Sequence, residues 1–250
     1  MDYIFKKYFV VSALVFLIII GIPCGAAAQS RYLGEAYFES TMDQYIQGNY
    51  EAAACGFRRF LELAPNDFNG HYLLGHTLKQ LGDFDGALES YENALTINPD
   101  NVDALIYAGR LLQKKRDYDG AAAHYEKALK ILPADSESLV LMGTIRYELK
   151  DYEGAIGYCT KALANDPEYY DAYLTKGMAL REMGKSVEAQ ENLQKALEIE
   201  PDNAHTHYEM GILMMQLGKK ARAVEYFNKA LEVQPCYPQA AGALKEASSK

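Results

Sequence analysis

Apolar positions along the chain fall into short stripes at helical spacing, and the stripes come in pairs. Between Phe68 and Asn101, Leu74, Leu78 and Leu81 stand at i, i+4 and i+7, the spacing of one helix face. Gly82-Asp83 then interrupts the pattern, Gly suiting the end of one helix and Asp the N-cap of the next. Ala87, Leu88, Tyr91, Ala94 and Leu95 form a second stripe, and Pro99 stops it, because proline lacks an amide donor and disfavours helix just before itself. Asp100 and Asn101 can cap the helix that follows. This two-helix unit recurs six times at a 34-residue period without insertion or deletion. Ala53, Ala87, Ala121, Ala155, Ala189 and Ala223 mark it, as do Pro65, Pro99, Pro133, Pro167, Pro201 and Pro235. Such a period predicts stacked helical hairpins, each too small to bury its own apolar face.

The small residues say where the helices approach. Gly75, Gly109, Gly143, Gly177 and Gly211 recur at one place in the first helix of each unit. A mid-helix Gly costs about 1 kcal/mol against Ala, so five at one phase point to a contact with no room for a side chain. On the second helix, Ala94, Ala128, Ala162, Ala196 and Ala230 are small where the next unit must dock, and Tyr91, Tyr125, Leu193 and Phe227 are the large knobs between the alanines, with Cys159 expected buried in the place of an aromatic residue.

These residues resemble the tetratricopeptide repeat family: the pair Leu74-Gly75, the series Ala87, Tyr91 and Ala94, and Pro99 fit its pattern. The resemblance covers units 34–67, 68–101, 102–135, 136–169, 170–203 and 204–237. It implies an all-α fold, a right-handed α-solenoid of antiparallel helix pairs, with a concave groove lined by the first helices and used to bind peptides or proteins. The first unit departs most, with Thr41 in place of Gly and Phe60 in place of Ala. In the fourth, Arg146 takes a core place and is expected to snorkel out. Pro238 can open a short capping helix, leaving 238–250 as cap and tail.

The start of the chain reads differently. Lys6 and Lys7 precede an apolar run from Phe9 to Ile22, followed by Pro23 and Gly25-Ala26-Ala27-Ala28. This is the pattern of a secretory signal, and a cut after Ala28 leaves a joint, 29–33, before the repeats. The apolar run is short for a span of about 20 residues; left uncut, residues 9–22 would instead anchor the chain with its lysines in the cytoplasm. Either way the repeats are exported, and the style of signal points to the bacterial envelope. Cys24 follows Pro23, which does not suit a lipoprotein signal. Of the cysteines beyond a cut, Cys55, Cys159 and Cys236 lie in the first, fourth and sixth units, too far apart for internal pairing, since stacked repeats touch only their neighbours.

Charge narrows the partners. The formal net charge is -9, which argues against nucleic acid and against polybasic attachment to anionic lipid. No catalytic or cofactor motif stands out. Gly184-Lys185-Ser186 ends like a phosphate loop, but Ala179 occupies the place of its earlier Gly and no strand precedes it. His71, His76, His205 and His207 diverge on their helices, so no metal site is expected. The chain reads as a non-enzyme without cofactor.

Carrying the family's phase onto this chain places Tyr72, His76, Lys79, Arg110, Lys114, Val140, Tyr147, Leu174, Met178, Arg181 and Tyr208 on the groove. Within this set, His76, Lys79, Arg110 and Lys114 form a basic patch that could hold a partner's carboxylate; the alternative is that they are solvated helix residues paired with Asp103 or a neighbour. Chaperone-type clamps fit poorly, with Tyr72, His76 and Tyr107 where polar residues belong. An Asn ladder is replaced by Leu73, Tyr107, Leu141, Thr175 and Glu209. Six-repeat pilus-assembly lipoproteins match in size and compartment, but the lipoprotein signal is missing. The expected role is a protein- or peptide-binding scaffold in the envelope; a self-assembling structural protein and an accessory subunit of an envelope biogenesis or polysaccharide enzyme complex are the alternatives.

Overall fold

The computed structural model describes residues 26–248, with side chains from Leu33 onward. The basic segment and apolar run read as an export signal lie outside the described residues. Among the described residues there are thirteen helices and no strand. They alternate as first and second members of hairpins: α1 Ala26–Ile46, α2 Tyr50–Leu63, α3 Phe68–Gln80, α4 Phe84–Ile97, α5 Val102–Lys114, α6 Tyr118–Ile131 and α7 Ser136–Glu148. The series continues with α8 Tyr152–Asn165, α9 Tyr170–Glu182, α10 Ser186–Ile199, α11 Ala204–Gln216 and α12 Lys220–Val233, and closes with α13 Pro238–Ser248. Helix α1 starts at Ala26, so residues 29–33, read as a joint, are helical. No described helix is long and apolar enough to cross a membrane.

The boundaries follow the expected chemistry. Asp83, Asp117 and Asp151 each accept a hydrogen bond from the backbone N–H three residues on, capping α4, α6 and α8. Asn101, Asp135 and Asn203 do the same for α5, α7 and α11. The turn inside each hairpin needs one left-handed residue. Gly82, at φ 78°, fills it after α3, and the Asp83 N–H reaches back to the Leu78 carbonyl. After α5 and α7 the same place holds Arg116 and Lys150, both at φ 62°. Gly184 is another of these turn residues, so the phosphate-loop lookalike is a hairpin turn.

The chain divides into two units, residues 1–99 and 100–250. In the first, α1 packs on α2, α2 on α3 and α3 on α4. A side chain at Gly75 would sit 2.8 Å from a ring carbon of Tyr91, which is why Gly stands there. At Thr41 the spacing is restored from the other side, since Gly56 on α2 has no side chain to strike the Thr41 hydroxyl. Phe60 is accommodated by Gly70 on α3, where any Cβ would strike its ring, and by a tilted ring contact with Phe38 at 5.1 Å.

In the second unit each hairpin packs internally and on the next hairpin, and the first helices α7, α9 and α11 also contact one another in series. Gly109, Gly143, Gly177 and Gly211 face Tyr125, Cys159, Leu193 and Phe227, all fully buried. Burial pushes the Cys159 thiol up to about 12. Cys55, Cys159 and Cys236 are all free thiols. Arg146 reaches out of the core toward Asp151, 3.7 Å away. Helix α13 covers the last hairpin, burying Ala240 and Ala247.

Candidate functional site

The first helices spend one side on their hairpin partner, and the side left over carries the candidate residues. In the unit of residues 1–99 these residues are drawn into packing. The Tyr72 ring stacks on Phe68 at 5.5 Å and meets His76 edge-on at 4.6 Å. Both rings lie edge-on to Tyr91, the buried aromatic of α4. Lys79 is half-buried on the next turn. His71, one of the histidines weighed as a metal ligand, instead donates its Nε2–H to the Pro65 carbonyl at 2.9 Å. His207 repeats that bond to Pro201 at 2.8 Å. Both tie a first helix to the proline turn before it. Among the described residues no cluster of His, Cys, Asp or Glu is arranged to hold a metal.

The unit of residues 100–250 holds the rest. Val140 and Leu174 belong to the core rather than to an open surface: each is about one-twentieth exposed. Val140 lies among Leu139, Cys159 and Ala172, and Leu174 in the cluster that holds Leu180, Leu193 and Met210. As expected ligand contacts both are corrected by their burial, because apolar side chains at these places fill the space between adjacent hairpins.

Two polar centres remain. The first surrounds the end of α5. Arg110 donates from Nη2 to Glu137 Oε1 at 2.6 Å, joining α5 to the first turn of α7. Lys114 is exposed one turn further on. Together with Gln113, Arg116 and Tyr118, and with Leu141 and Glu148 from α7, they line an open cleft of about 500 Å³. The Tyr118 hydroxyl donates to Glu148 at 3.2 Å, so the carboxylate in the cleft already has a partner. The expected pairing of the basic residues with a neighbour therefore holds for Arg110, and the partner is Glu137 of the next hairpin. Arg116 was not singled out in the sequence because its place in the repeat reads as a turn.

The second centre joins α9 and α11. Arg181 is buried; its Nη1 lies 2.9 Å from Glu182 and its Nη2 3.0 Å from Glu209. Glu209 is itself buried and lies 3.4 Å from His205 Nε2. Half-buried tyrosines surround the pair. Burial is the main cause that pushes Tyr147 up to about 12, with Arg181 opposing and Glu209 adding to the shift. Tyr208 is raised in the same way, and its ring lies 5.9 Å from Phe227 and 5.4 Å from Tyr237. Burial also raises Asp171, against the Tyr170 hydroxyl that bonds to it. Met178 is half-buried on the same helix as Arg181. Glu209, read earlier only as an absent ladder residue, is the unforeseen member. The signal for it was a carboxylate at a core-lined place on the next first helix after that of Arg181.

A family model described as the cytochrome c-type biogenesis protein H TPR domain matches residues 25–169, more than half of the chain. The chain belongs to the tetratricopeptide repeat family. Two further tetratricopeptide repeat models match residues 158–191 and 180–247. No curated protein matches the chain. Solved structures give the fold as an all-α solenoid. The crystal structure of MamA is similar at 27% identity and TM-score 0.54, covering 65% of this chain and 95% of that one. YrrB, described as a TPR protein with an unusual peptide-binding site, is similar at 24% identity and TM-score 0.54, covering 76% and 97%. The structure of Pseudomonas aeruginosa pilF shares 20% identity at TM-score 0.68, covering 87% and 99%, a likeness of fold alone.

Proposed function

We propose that this chain is an exported interaction scaffold of the bacterial envelope, which holds a segment of a partner protein against its first helices. The match to a cytochrome c-type biogenesis repeat domain supports a place among the proteins that assemble c-type cytochromes outside the cytoplasm. The observation that carries the reading is the division of labour within residues 100–250. The small residues and buried knobs use one side of each first helix. Arg110, Lys114, Tyr147, Met178 and Tyr208, exposed or half-buried, stand on what remains, while the expected contact Arg181 is withdrawn into its buried pair with Glu209. Tyrosine and arginine in such a setting give large contact area and directional hydrogen bonds at modest cost in lost side-chain freedom. Family members of this kind act by contact, and the role is accordingly non-catalytic.

A photo-crosslinking side chain at Met178 tests this, with a second at Gly157 of α8 as the control, because Gly157 is exposed and a side chain there meets nothing within 4 Å. In envelope fractions the Met178 probe is expected to give a discrete protein adduct that the Gly157 probe does not. Equal adducts from both would contradict the reading. An adduct between two copies of the chain would favour the self-assembling alternative.

A further inference from the structure

We propose that the turn edge of the last two hairpins rests on an anionic lipid surface, with its cations on the headgroups and aliphatic side chains at the interface. The opening of each second helix carries the argument. Asp83-Phe84-Asp85, Asp117-Tyr118-Asp119 and Asp151-Tyr152-Glu153 open α4, α6 and α8 with a cap, a ring and an acid. At the same places Lys185-Ser186-Val187 opens α10 and Lys219-Lys220-Ala221 opens α12. Neither Lys185 nor Lys219 caps its helix, and both set a positive charge against the helix dipole. The reversal costs each helix a cap, and a local rule broken at a cost points to something the edge meets outside the fold. This edge is separate from the side of the first helices proposed to hold a partner, and the two readings stand or fall separately.

The edge has the composition of an interfacial contact, basic and aliphatic together. Lys185, Lys219, Lys220 and Arg222 are exposed, and among the described residues no carboxylate pairs with Lys185, Lys219 or Arg222. Within 182–188 and 216–222 these cations outnumber the carboxylates Glu182 and Glu188, and Glu182 is already held by Arg181 at 2.9 Å. Beside them Val187 is 74% and Leu217 37% exposed. The two turns stand one period apart on hairpins that pack on each other, so these groups share one edge. Every residue of 216–222 is exposed. Such an edge projects; it offers no walls to a peptide but lies well against a plane. The formal net charge of -9 argues against this attachment only for the chain as a whole. At physiological salt a surface feels the charges within about 8 Å, and those are the charges of the edge.

An environment-sensitive fluorescent side chain at Val187 of the full chain tests this on vesicles, with a second at Gly157, exposed on α8, as the control. The readout is local because residues 9–22, left uncut, would carry the chain to any bilayer, whereas only a seated edge moves the Val187 signal. Vesicles of equal phosphatidylglycerol and phosphatidylcholine should blue-shift the Val187 probe, less so as salt rises, and leave the Gly157 probe unchanged. Vesicles of phosphatidylcholine alone should shift neither. Lys185→Asp with Lys219→Asp should weaken the apparent affinity at least about tenfold, since each Lys or Arg at an anionic surface is worth about fivefold. Asp at these places caps its helix, so this variant should melt no earlier than the wild-type chain, and its lost signal is not lost fold. Lys219→Gln with Arg222→Gln should weaken binding in the same direction. Equal shifts on the two kinds of vesicle, or a shift indifferent to the substitutions, overturn the proposal. So does a Val187 probe that stays still on the anionic vesicles; a shift given instead by a blocked peptide of alternating Glu and Ala would overturn it in favour of an acidic protein segment.

Discussion

At the scale of single residues, the glycines of the first helices are set by the side chain opposite. Gly211 shows it most sharply, since a Cβ there would meet the Phe227 ring closer than at Gly75. Gly157 is also helical but faces open space. The same substitution should therefore act in opposite directions. Gly211→Ala is expected to destabilise by about 1–3 kcal/mol through overpacking, while Gly157→Ala should stabilise by about 0.5–1 kcal/mol through helix propensity. Urea unfolding midpoints read both. His207 gives a second residue-level test. Its value is lowered, first by burial, so the unfolded chain takes up a proton more readily than the native one. Its contribution to stability is then complete above the unfolded value of about 6.5. It is lost as pH falls from there to the lowered native value, and levels off below that. His207→Phe should show a shallower loss between about pH 7.5 and about pH 5.5 than the wild-type chain, measured by thermal melting at each pH.

Helix by helix, the repeat is written in caps and turns, and the sequence carries both plainly. The Asp of each Gly-Asp or equivalent turn caps the second helix wherever it is present, at Asp83, Asp117 and Asp151. In the last two hairpins Lys185 and Lys219 hold that place, and neither makes a side-chain cap. A positive charge there also opposes the helix dipole. Lys219→Asp should stabilise by about 0.5–2 kcal/mol, seen as a rise in the melting temperature, and Lys219→Ala should recover only a part of it. Helix existence, order and ends were readable because period, Gly, Asp and Pro act locally. Compensation between helices was not readable. The pairing of Thr41 with Gly56, of Phe60 with Gly70, and of Arg181 with Glu209 is decided by which residues face each other across a hairpin or between hairpins. A single sequence with no fixed register between helices shows each of these only as a departure from the pattern. Val140 and Leu174 failed as surface residues for the same reason: helical phase placed them on the right side, but packing of the neighbouring hairpin covered them.

For the whole molecule, the account comes down to a separation of surfaces. Second helices and the glycine-lined side of the first helices supply cohesion, and the remaining side of α5, α7, α9 and α11 is left with tyrosine, methionine and charge. The proposed scaffold rests on that separation, because side chains not needed for stability are those it would offer to a partner. The basic residues and apolar run read as an export signal lie outside the described residues, and export and the envelope setting stay part of the proposal. Hydroxyl-radical footprinting of the wild-type chain, with and without the partner that the crosslink identifies, tests the separation most directly, since Tyr and Met oxidise readily. Tyr147, Met178 and Tyr208 should become protected when the partner is bound, while the half-buried Tyr158 and Tyr226 of the second helices keep their labelling. Protection of Tyr158 and Tyr226 with Tyr147, Met178 and Tyr208 unchanged would contradict the account.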